Sequence, residues 1–122
     1  MSTYKIAYGT AEVISDSVVL MTPAEGIEVT LEIFQELLAL LKKLYPNGVK
    51  VVVDMRSQYS VSTESMLAAV KQPHFLAVAF VVYREHTIVA AETLKMMFGD
   101  KQTEIFLGDD GVELAKKWLN QL

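Results

Sequence analysis

Val49-Lys50-Val51-Val52-Val53-Asp54 is the stretch of this sequence that decides the fold. It is rich in β-branched residues and too short for a helix, so it predicts a strand. Its nearly continuous apolar character indicates burial on both faces, which is typical of a central strand in a parallel sheet. A second run, 75–83, reads Phe-Leu-Ala-Val-Ala-Phe-Val-Val-Tyr and has the same character. We therefore expect these runs to lie side by side and parallel, with helices packed on the sheet.

Helical periodicity occupies the segments around these two strands. The clearest pattern spans 30–45, where apolar residues recur at every third or fourth position and both lysines lie near the end. Shorter helices are predicted before Pro73 and over 87–98. A closing helix is predicted from about Asp110, which has capping-box spacing to Glu113. We expect its inner face to carry leucine, alanine and tryptophan side chains, namely Leu114, Ala115, Trp118, Leu119 and Leu122.

The N-terminal segment predicts a β-hairpin. Apolar runs at 11–14 and 18–21 flank the short polar link Ser15-Asp16-Ser17. The alternating stretch 4–8 is consistent with an extra edge strand or an ordered arm, and 103–107 predicts a final strand. The whole order is a hairpin followed by repeated strand–helix units, which is typical of one α/β domain with a mostly parallel sheet.

Composition excludes several classes of protein. The chain has 122 residues, of which 52% are hydrophobic and 21% are charged, so intrinsic disorder is excluded. The net charge is −4 and there is no basic stripe, so we expect no nucleic-acid partner. The absence of cysteine excludes thiolate chemistry and disulfide scaffolds. The N-terminal residues lack a signal-peptide pattern and the longest uncharged apolar run is 75–83, so we expect no membrane span and a cytoplasmic location.

Three groups of short stretches, in this order and spacing, give the chain a resemblance to a known family. They are Ile27-Glu28-Val29-Thr30-Leu31-Glu32, then Val53-Asp54-Met55-Arg56 with Ser60-Val61-Ser62-Thr63-Glu64, and finally Ala77-Val78-Ala79 with 114–119 around Trp118. On these stretches the chain resembles the small STAS domains, which have the SpoIIAA-like fold of anti-sigma-factor antagonists. It is similar in particular to short bacterial STAS/Sec14-like proteins. The resemblance implies a single STAS-like domain over 1–122 that regulates other proteins by binding them and is not an enzyme.

The resemblance also implies a modification site. In anti-sigma-factor antagonists, a serine in an Asp-Ser-Ser-Gly stretch is phosphorylated by the partner kinase, and the added charge blocks binding. When the sequences are aligned on Asp54, the corresponding stretch is Ser62-Thr63-Glu64-Ser65. Thr63, with Ser62 beside it, is therefore the implied phosphorylation candidate. Three of the four identities differ, and Glu64 already carries negative charge where a phosphate would be added.

The loop after the first buried strand is a candidate binding loop for a partner or ligand. Asp54 and Arg56 come at the carboxyl end of a predicted parallel strand, where open α/β sheets bind ligands. They could orient a small polar ligand together with the hydroxyls of Ser57 and Ser60, and Glu64 closes the loop. A local Asp–Arg ion pair explains the same residues without a ligand, and we favour it because no nucleophile–base pair accompanies them.

The predicted helix at 87–98 is a candidate interface. It is apolar on more than one side, and Glu92 and Lys95 are its only charged residues. A helix of this kind either lies deep in the protein or contacts a partner, and a domain of this size offers little depth. We expect Val89, Glu92 and Met96 to face another protein or a second copy of the chain.

Other chemistry finds little support in the sequence. His74 and His86 are twelve residues apart with no ligand cluster around them, so we expect no metal, and no motif calls for a cofactor. Two alternative functions stay open. The Sec14-like resemblance implies a carrier of lipids or small molecules, although a chain this short leaves little room for a lipid. A small hydrolase or isomerase that uses Asp54 as its base is the third hypothesis.

Overall fold

The strands and helices follow the predicted order in a computed structural model, which describes residues 2–122 apart from the side chain of His86. The strands are β1 (Thr3–Ile6), β2 (Gly9–Val13), β3 (Val18–Pro23), β4 (Glu28–Val29), β5 (Val49–Asp54), β6 (Ser60–Val61), β7 (Phe75–Val82) and β8 (Gln102–Leu107). The helices are α1 (Leu31–Leu44), α2 (Thr63–Val70), α3 (Glu85–Phe98) and α4 (Gly111–Asn120). Helix α3 thus begins two residues before the predicted start.

The main sheet has six strands in the order β1-β2-β3-β5-β7-β8. Strands β1, β2 and β3 are antiparallel neighbours, which confirms the hairpin and the extra edge strand. Strands β3, β5, β7 and β8 are parallel, with Val51 opposite Val78 and Val53 opposite Phe80. The expectation that the two apolar runs lie side by side in the same direction is confirmed. The structure is one α/β domain with parallel strand–helix units.

A second, two-stranded sheet was not predicted. Strands β4 and β6 pair in parallel, with Glu28 opposite Ser60 and Val29 opposite Val61. Strands of two residues are too short to show an alternating pattern, so the sequence contained no periodic signal for them. The pairing joins the loop after β5 to the segment before α1, and it fixes where α2 begins.

Apolar side chains form one cluster on each face of the sheet. Alternate residues of a strand point to opposite faces. Val51 therefore belongs to the larger cluster, which contains Leu37 of α1 and Ala91 of α3. Val52 belongs to the smaller cluster, which contains Ala115 of α4. Helices α1 and α3 thus cover one face of the sheet, and α4 covers the other.

Helix α1 confirms its prediction at both ends. The Thr30 hydroxyl accepts a hydrogen bond from the Ile33 amide at 3.4 Å, as expected of an N-cap residue. After the last turn, the Tyr45 hydroxyl donates to the Val18 carbonyl at 2.9 Å and attaches the end of the helix to β3. No helix within residues 2–122 combines the length and apolarity needed to cross a bilayer. The cytoplasmic location stays a prediction.

Helix α4 corrects two expectations. Asp110 lies at the N-cap with helical backbone angles (φ −86°, ψ −1°), and its side chain makes no capping hydrogen bond, so the predicted capping box is wrong. Ala115 and Leu119 are buried as expected, but Leu114 and Leu122 are each 45% exposed. The buried stripe is therefore narrower than predicted, because α4 lies close to the sheet at its small residues. A Cβ atom at Gly111 would lie only 2.5 Å from Val81 Cγ1.

Candidate functional site

Asp54 and Arg56 form an ion pair at the carboxyl end of the central strand. Asp54 is 2% exposed, and its Oδ2 accepts a hydrogen bond from Arg56 Nε at 2.7 Å. The Arg56 guanidinium lies 5.5 Å from the centre of the Tyr83 ring, and its Nη2 donates to the Tyr83 hydroxyl at 3.3 Å. The structure therefore contains the local Asp–Arg pair that the sequence analysis favoured. It adds Tyr83, which follows β7, to the same cluster.

The second oxygen of Asp54 is unusual. Its Oδ1 is buried and has no hydrogen-bond partner among the residues that the structure describes. Burial, and then the negative charge of Asp54, raise the pKa of Tyr59 to about 12. Burial and the neighbouring Asp54 carboxylate also raise the pKa of Tyr83, while Arg56 acts in the opposite direction. Both phenols are thus held in their neutral form, in which they can donate hydrogen bonds.

The predicted binding loop is held by the Ser57 side chain and by backbone hydrogen bonds of its neighbours. The Ser57 hydroxyl donates to the Pro23 carbonyl at 2.7 Å, and the Gln58 amide donates to Glu25 Oε2 at 2.7 Å. The Ser60 amide donates to the Ile27 carbonyl at 3.0 Å within the short β4–β6 pairing. The loop is thus attached to the segment that precedes α1, which gives it a defined shape.

The two phosphorylation candidates have different environments. Ser62 is the N-cap of α2, where its hydroxyl accepts from the Ser65 amide at 3.2 Å and lies 2.8 Å from the Ser65 hydroxyl. Thr63 and Glu64 are exposed in the first turn of the helix. Thr63 is therefore the more accessible of the two candidate hydroxyls. Ser65, which the sequence analysis did not select, is buried and donates to the Val29 carbonyl at 3.0 Å.

A surface groove joins the binding loop to α3. The groove has a volume of about 420 Å³ and lies between the loop after β5, the start of α2 and one side of α3. Its lining residues are Met55, Ser57, Gln58, Tyr59, Val61, Met66, Arg84, Thr87, Ala90, Thr93 and Leu94. Only Ser57 among the predicted site residues lines it. The three candidate interface residues are exposed on α3, with Val89 at 66% and Met96 at 81%.

The predicted site residues therefore fall into separate places. Asp54 shares a strand face with Val52, which packs in the cluster that α4 covers. Ser57 lines the groove, and Thr63 and Glu64 lie at the start of α2. Tyr83 and Arg84 were not predicted as site residues. The available signal was their position directly after β7, because parallel neighbours end at the same edge of a sheet.

A small internal cavity lies behind the groove. It has a volume of about 90 Å³ and is lined almost entirely by apolar side chains, between the sheet and helices α1, α2 and α3. Four residues line both the cavity and the groove, namely Tyr59, Val61, Met66 and Leu94. These four side chains, called here the dividing wall, lie where the cavity and the groove adjoin.

No group of metal ligands is found around the histidines in the part of the chain that the structure describes. Among the side chains of residues 2–122 other than His86, no three His, Asp or Glu groups lie together so that they could hold an ion. His74 accepts no hydrogen bond at its buried Nε2 and donates none there, and its amide donates to Gln72 Oε1 at 3.2 Å. The expectation for the His86 side chain lies outside the described residues.

Comparison with known proteins gave no match, whether the chain was compared with family models, with curated proteins or with solved structures. What the structure defines is a small α/β fold with a mixed sheet and alternating strand–helix units. The site is accordingly interpreted from its own residues.

Proposed function

We propose that this chain is a non-enzymatic interaction module with a STAS-type, SpoIIAA-like fold, and that it binds another protein through α3. The observation that carries the proposal is the outer stripe of this helix. Val89 is 66% exposed and Met96 is 81% exposed. With Glu92 between them, they occupy one face of the helix, since positions three, four and seven apart coincide on it. Large apolar side chains grouped on one exposed helix face are typical of a protein interface.

The start of α2 supports regulation of this binding. A phosphate on Thr63 would lie in the first turn of the helix, where the helix dipole and unpaired amides stabilise negative charge. It would also add to the charge of Glu64 on the same exposed turn. A partner that contacts this turn would then meet two negative groups, and its affinity would fall. Ser62 is the weaker candidate because its hydroxyl already caps the helix.

Asp54 supports the non-enzymatic part of the proposal. A general base must come within hydrogen-bond distance of the proton that it removes. Asp54 Oδ2 is occupied by Arg56, and Oδ1 is buried. Neither oxygen lines the groove, where a substrate would have access.

A lipid carrier is the second candidate, and the volume of the cavity argues against it. Pockets for drug-sized ligands typically measure about 300–1,000 Å³. The internal cavity measures only about 90 Å³. A long acyl chain therefore does not fit this cavity.

The test compares partner capture by three forms of the immobilised protein. The double variant Val89→Lys/Met96→Lys alters the proposed surface. Leu107→Lys/Leu114→Lys adds the same charge at two other exposed leucines, which are 59% and 45% exposed, and serves as the matched control. We expect one protein from an extract of the source organism to be retained by the wild type and the control but lost from the α3 variant. The purified partner should then show the same pattern in calorimetry.

Self-association is measured in parallel by light scattering. A dimer that the α3 variant abolishes and the control preserves would identify the partner as a second copy of the chain. If all three forms are monomeric and retain the same set of proteins, α3 is not a binding surface and the proposal is wrong.

A further inference from the structure

We propose that the internal cavity and the surface groove form one binding site for a small amphipathic carboxylate. The apolar end of the ligand would occupy the cavity, and its carboxylate would lie in the groove near Arg84. This inference goes beyond the proposed function, because it concerns a small molecule and a different part of the surface from the outer stripe of α3.

The first argument is that the cavity is empty space in an apolar interior. Protein interiors are close-packed and contain few voids larger than one water molecule. A volume of about 90 Å³ exceeds that, and water finds few hydrogen-bond partners against such a lining. Side chains around a void lose dispersion contacts on that side. An apolar group of matching size would restore these contacts, so the cavity is a favourable position for one.

The dividing wall contains a flexible side chain, that of Met66. Met66 belongs to the wall and has an unbranched side chain with three rotatable bonds, so it can change rotamer at low cost. It lies only partly buried on α2, beside the groove. Because Met66 lines both spaces, a change of its rotamer would widen the connection between them.

The groove has a positively charged side chain at one end. Among the described side chains that line the groove, Arg84 is the only charged one. Its Nη2 donates to the Arg56 carbonyl at 3.0 Å, and the rest of its five-donor guanidinium can contact a ligand. Arg84 is also the N-cap of α3 and makes no side-chain cap, while its carbonyl accepts from the Thr87 amide at 3.1 Å. Glu85 is the nearest acid along the helix, and it is exposed outside the lining. This end of the groove therefore favours an anion.

The size of the cavity limits the apolar end. An engineered cavity of about 150 Å³ in another protein binds benzene. The cavity here is smaller, at about 90 Å³. It therefore fits a short branched alkyl group better than an aromatic ring or a long chain. The neutral Tyr59 hydroxyl belongs to the wall between the two spaces, where it can donate to the carboxylate.

The experiment titrates the full chain with 4-methylpentanoate while methyl resonances are followed by NMR. We expect saturable shifts at the methyl groups of Val61, Met66 and Leu94, with little change at Leu114 on the other face. The alcohol 4-methylpentan-1-ol, which has the same alkyl group and no charge, should bind about tenfold more weakly, because it lacks the charge-assisted contact to Arg84.

Two variants separate the halves of the site. Ala69→Leu places a larger side chain in the cavity lining and should abolish the shifts, whereas Ala39→Leu on the exposed side of α1 should leave them unchanged. Arg84→Gln should weaken binding of the acid to that of the alcohol, and Lys71→Gln, an exposed cation outside the site, should not. Arg84→Gln alters an exposed side chain, so its result stands even if Ala69→Leu does not fold.

The outcomes decide the proposal directly. Absence of saturable shifts with millimolar acid, or equal shifts in the Ala69→Leu variant, would overturn it. Equal affinity for acid and alcohol would show that the site does not recognise a carboxylate. These measurements use no partner protein, so a negative result would leave the proposed role of α3 in place. A negative result in the partner-capture test would likewise leave the proposed ligand site in place.

Discussion

Arg56 Nε lies 2.7 Å from Asp54 Oδ2, and this contact joins a buried carboxylate to a guanidinium whose side chain is 62% exposed. The two residues are separated by one position, and the contact closes the carboxyl end of β5. Arg56 also contacts Tyr83 after the neighbouring strand. Arg56 therefore links the buried carboxylate at the end of β5 to the residue that follows β7.

Replacing Arg56 should destabilise the protein more than replacing an ordinary surface cation. In Arg56→Met the carboxylate of Asp54 stays buried without its partner, and we expect a loss of about 1–3 kcal/mol in the free energy of unfolding. Urea denaturation measures this loss, with Lys71→Met as the exposed control. The double variant Asp54→Asn/Arg56→Met completes a thermodynamic cycle, and a coupling energy near zero would contradict the role of the pair.

The two hydroxyls at the start of α2 should respond differently to removal. Ser62→Ala eliminates the N-cap acceptor, and we expect it to lower stability by about 1 kcal/mol. Thr63→Ala should change stability by less than about 0.5 kcal/mol because its side chain is exposed. Thermal unfolding of both variants gives the comparison. A larger loss in Thr63→Ala than in Ser62→Ala would show that the cap is assigned to the wrong residue.

Gly111→Ala should be destabilising even though alanine normally favours a helix. The added Cβ would lie 2.5 Å from Val81 Cγ1, so either α4 or the side chain must shift. We expect a loss of about 1–3 kcal/mol, as is typical of overpacked cores. Chemical denaturation checks it. The double variant Gly111→Ala/Val81→Ala should lose less unfolding free energy than the sum of the two single variants. If the two losses simply add, the added Cβ and the Val81 side chain are not in contact.

Stability should fall in alkaline solution between about pH 10 and pH 12. The pKa of Tyr59 is raised to about 12 by burial and by Asp54, and that of Tyr45 is raised to about 12 by burial and by Asp16. The unfolded chain ionises these phenols near pH 10, whereas the folded chain keeps their protons. Tyr59 then lowers the unfolding free energy by about 1.4 kcal/mol per pH unit, and Tyr45 lowers it by less because solvent screens its charge.

Substitution of one phenol tests this directly. Tyr59→Phe has no proton to lose, so its stability should decline less steeply with pH than that of the wild type. Unfolding free energies at pH 9, 10, 11 and 12 give the slopes. Parallel curves for Tyr59→Phe and the wild type would contradict the raised pKa.

The carboxylate of Glu104 should contribute to the pH dependence of folding stability in acid solution. Its carboxylate accepts from the Ile105 amide at 3.0 Å and from Lys95 at 3.1 Å, and these contacts lower its pKa in that order. The stabilisation is present above the pKa of the unfolded chain and is lost as the pH falls through the lower folded value. Glu104→Gln should therefore show a weaker acid dependence in thermal unfolding below pH 5. An unchanged dependence would mean that the contact does not persist in solution.

Parts of the fold were predictable because their signals are local. The β-branched run 49–54 and the apolar run 75–83 could be buried only as central strands, and their parallel pairing followed from the helices between them. Helix α1 was predictable from its apolar period and from Thr30 before it. The candidate site was predictable only as a position along the chain. Asp54 and Arg56 were named, but Tyr83, which completes the cluster, comes from a distant strand.

The sequence by itself determined the order of the helices and of the strands of the main sheet, the direction of the central strands and the places where α1 begins and ends, since periodicity, turns and caps act over a few residues. The tertiary structure alone decided that Leu114 is exposed, that the outer stripe of α3 has no covering element in the described chain, and that a cavity lies behind Met66. These properties depend on how far apart distant elements pack. That distance is set by side-chain volumes brought together from the whole chain, which no local pattern records.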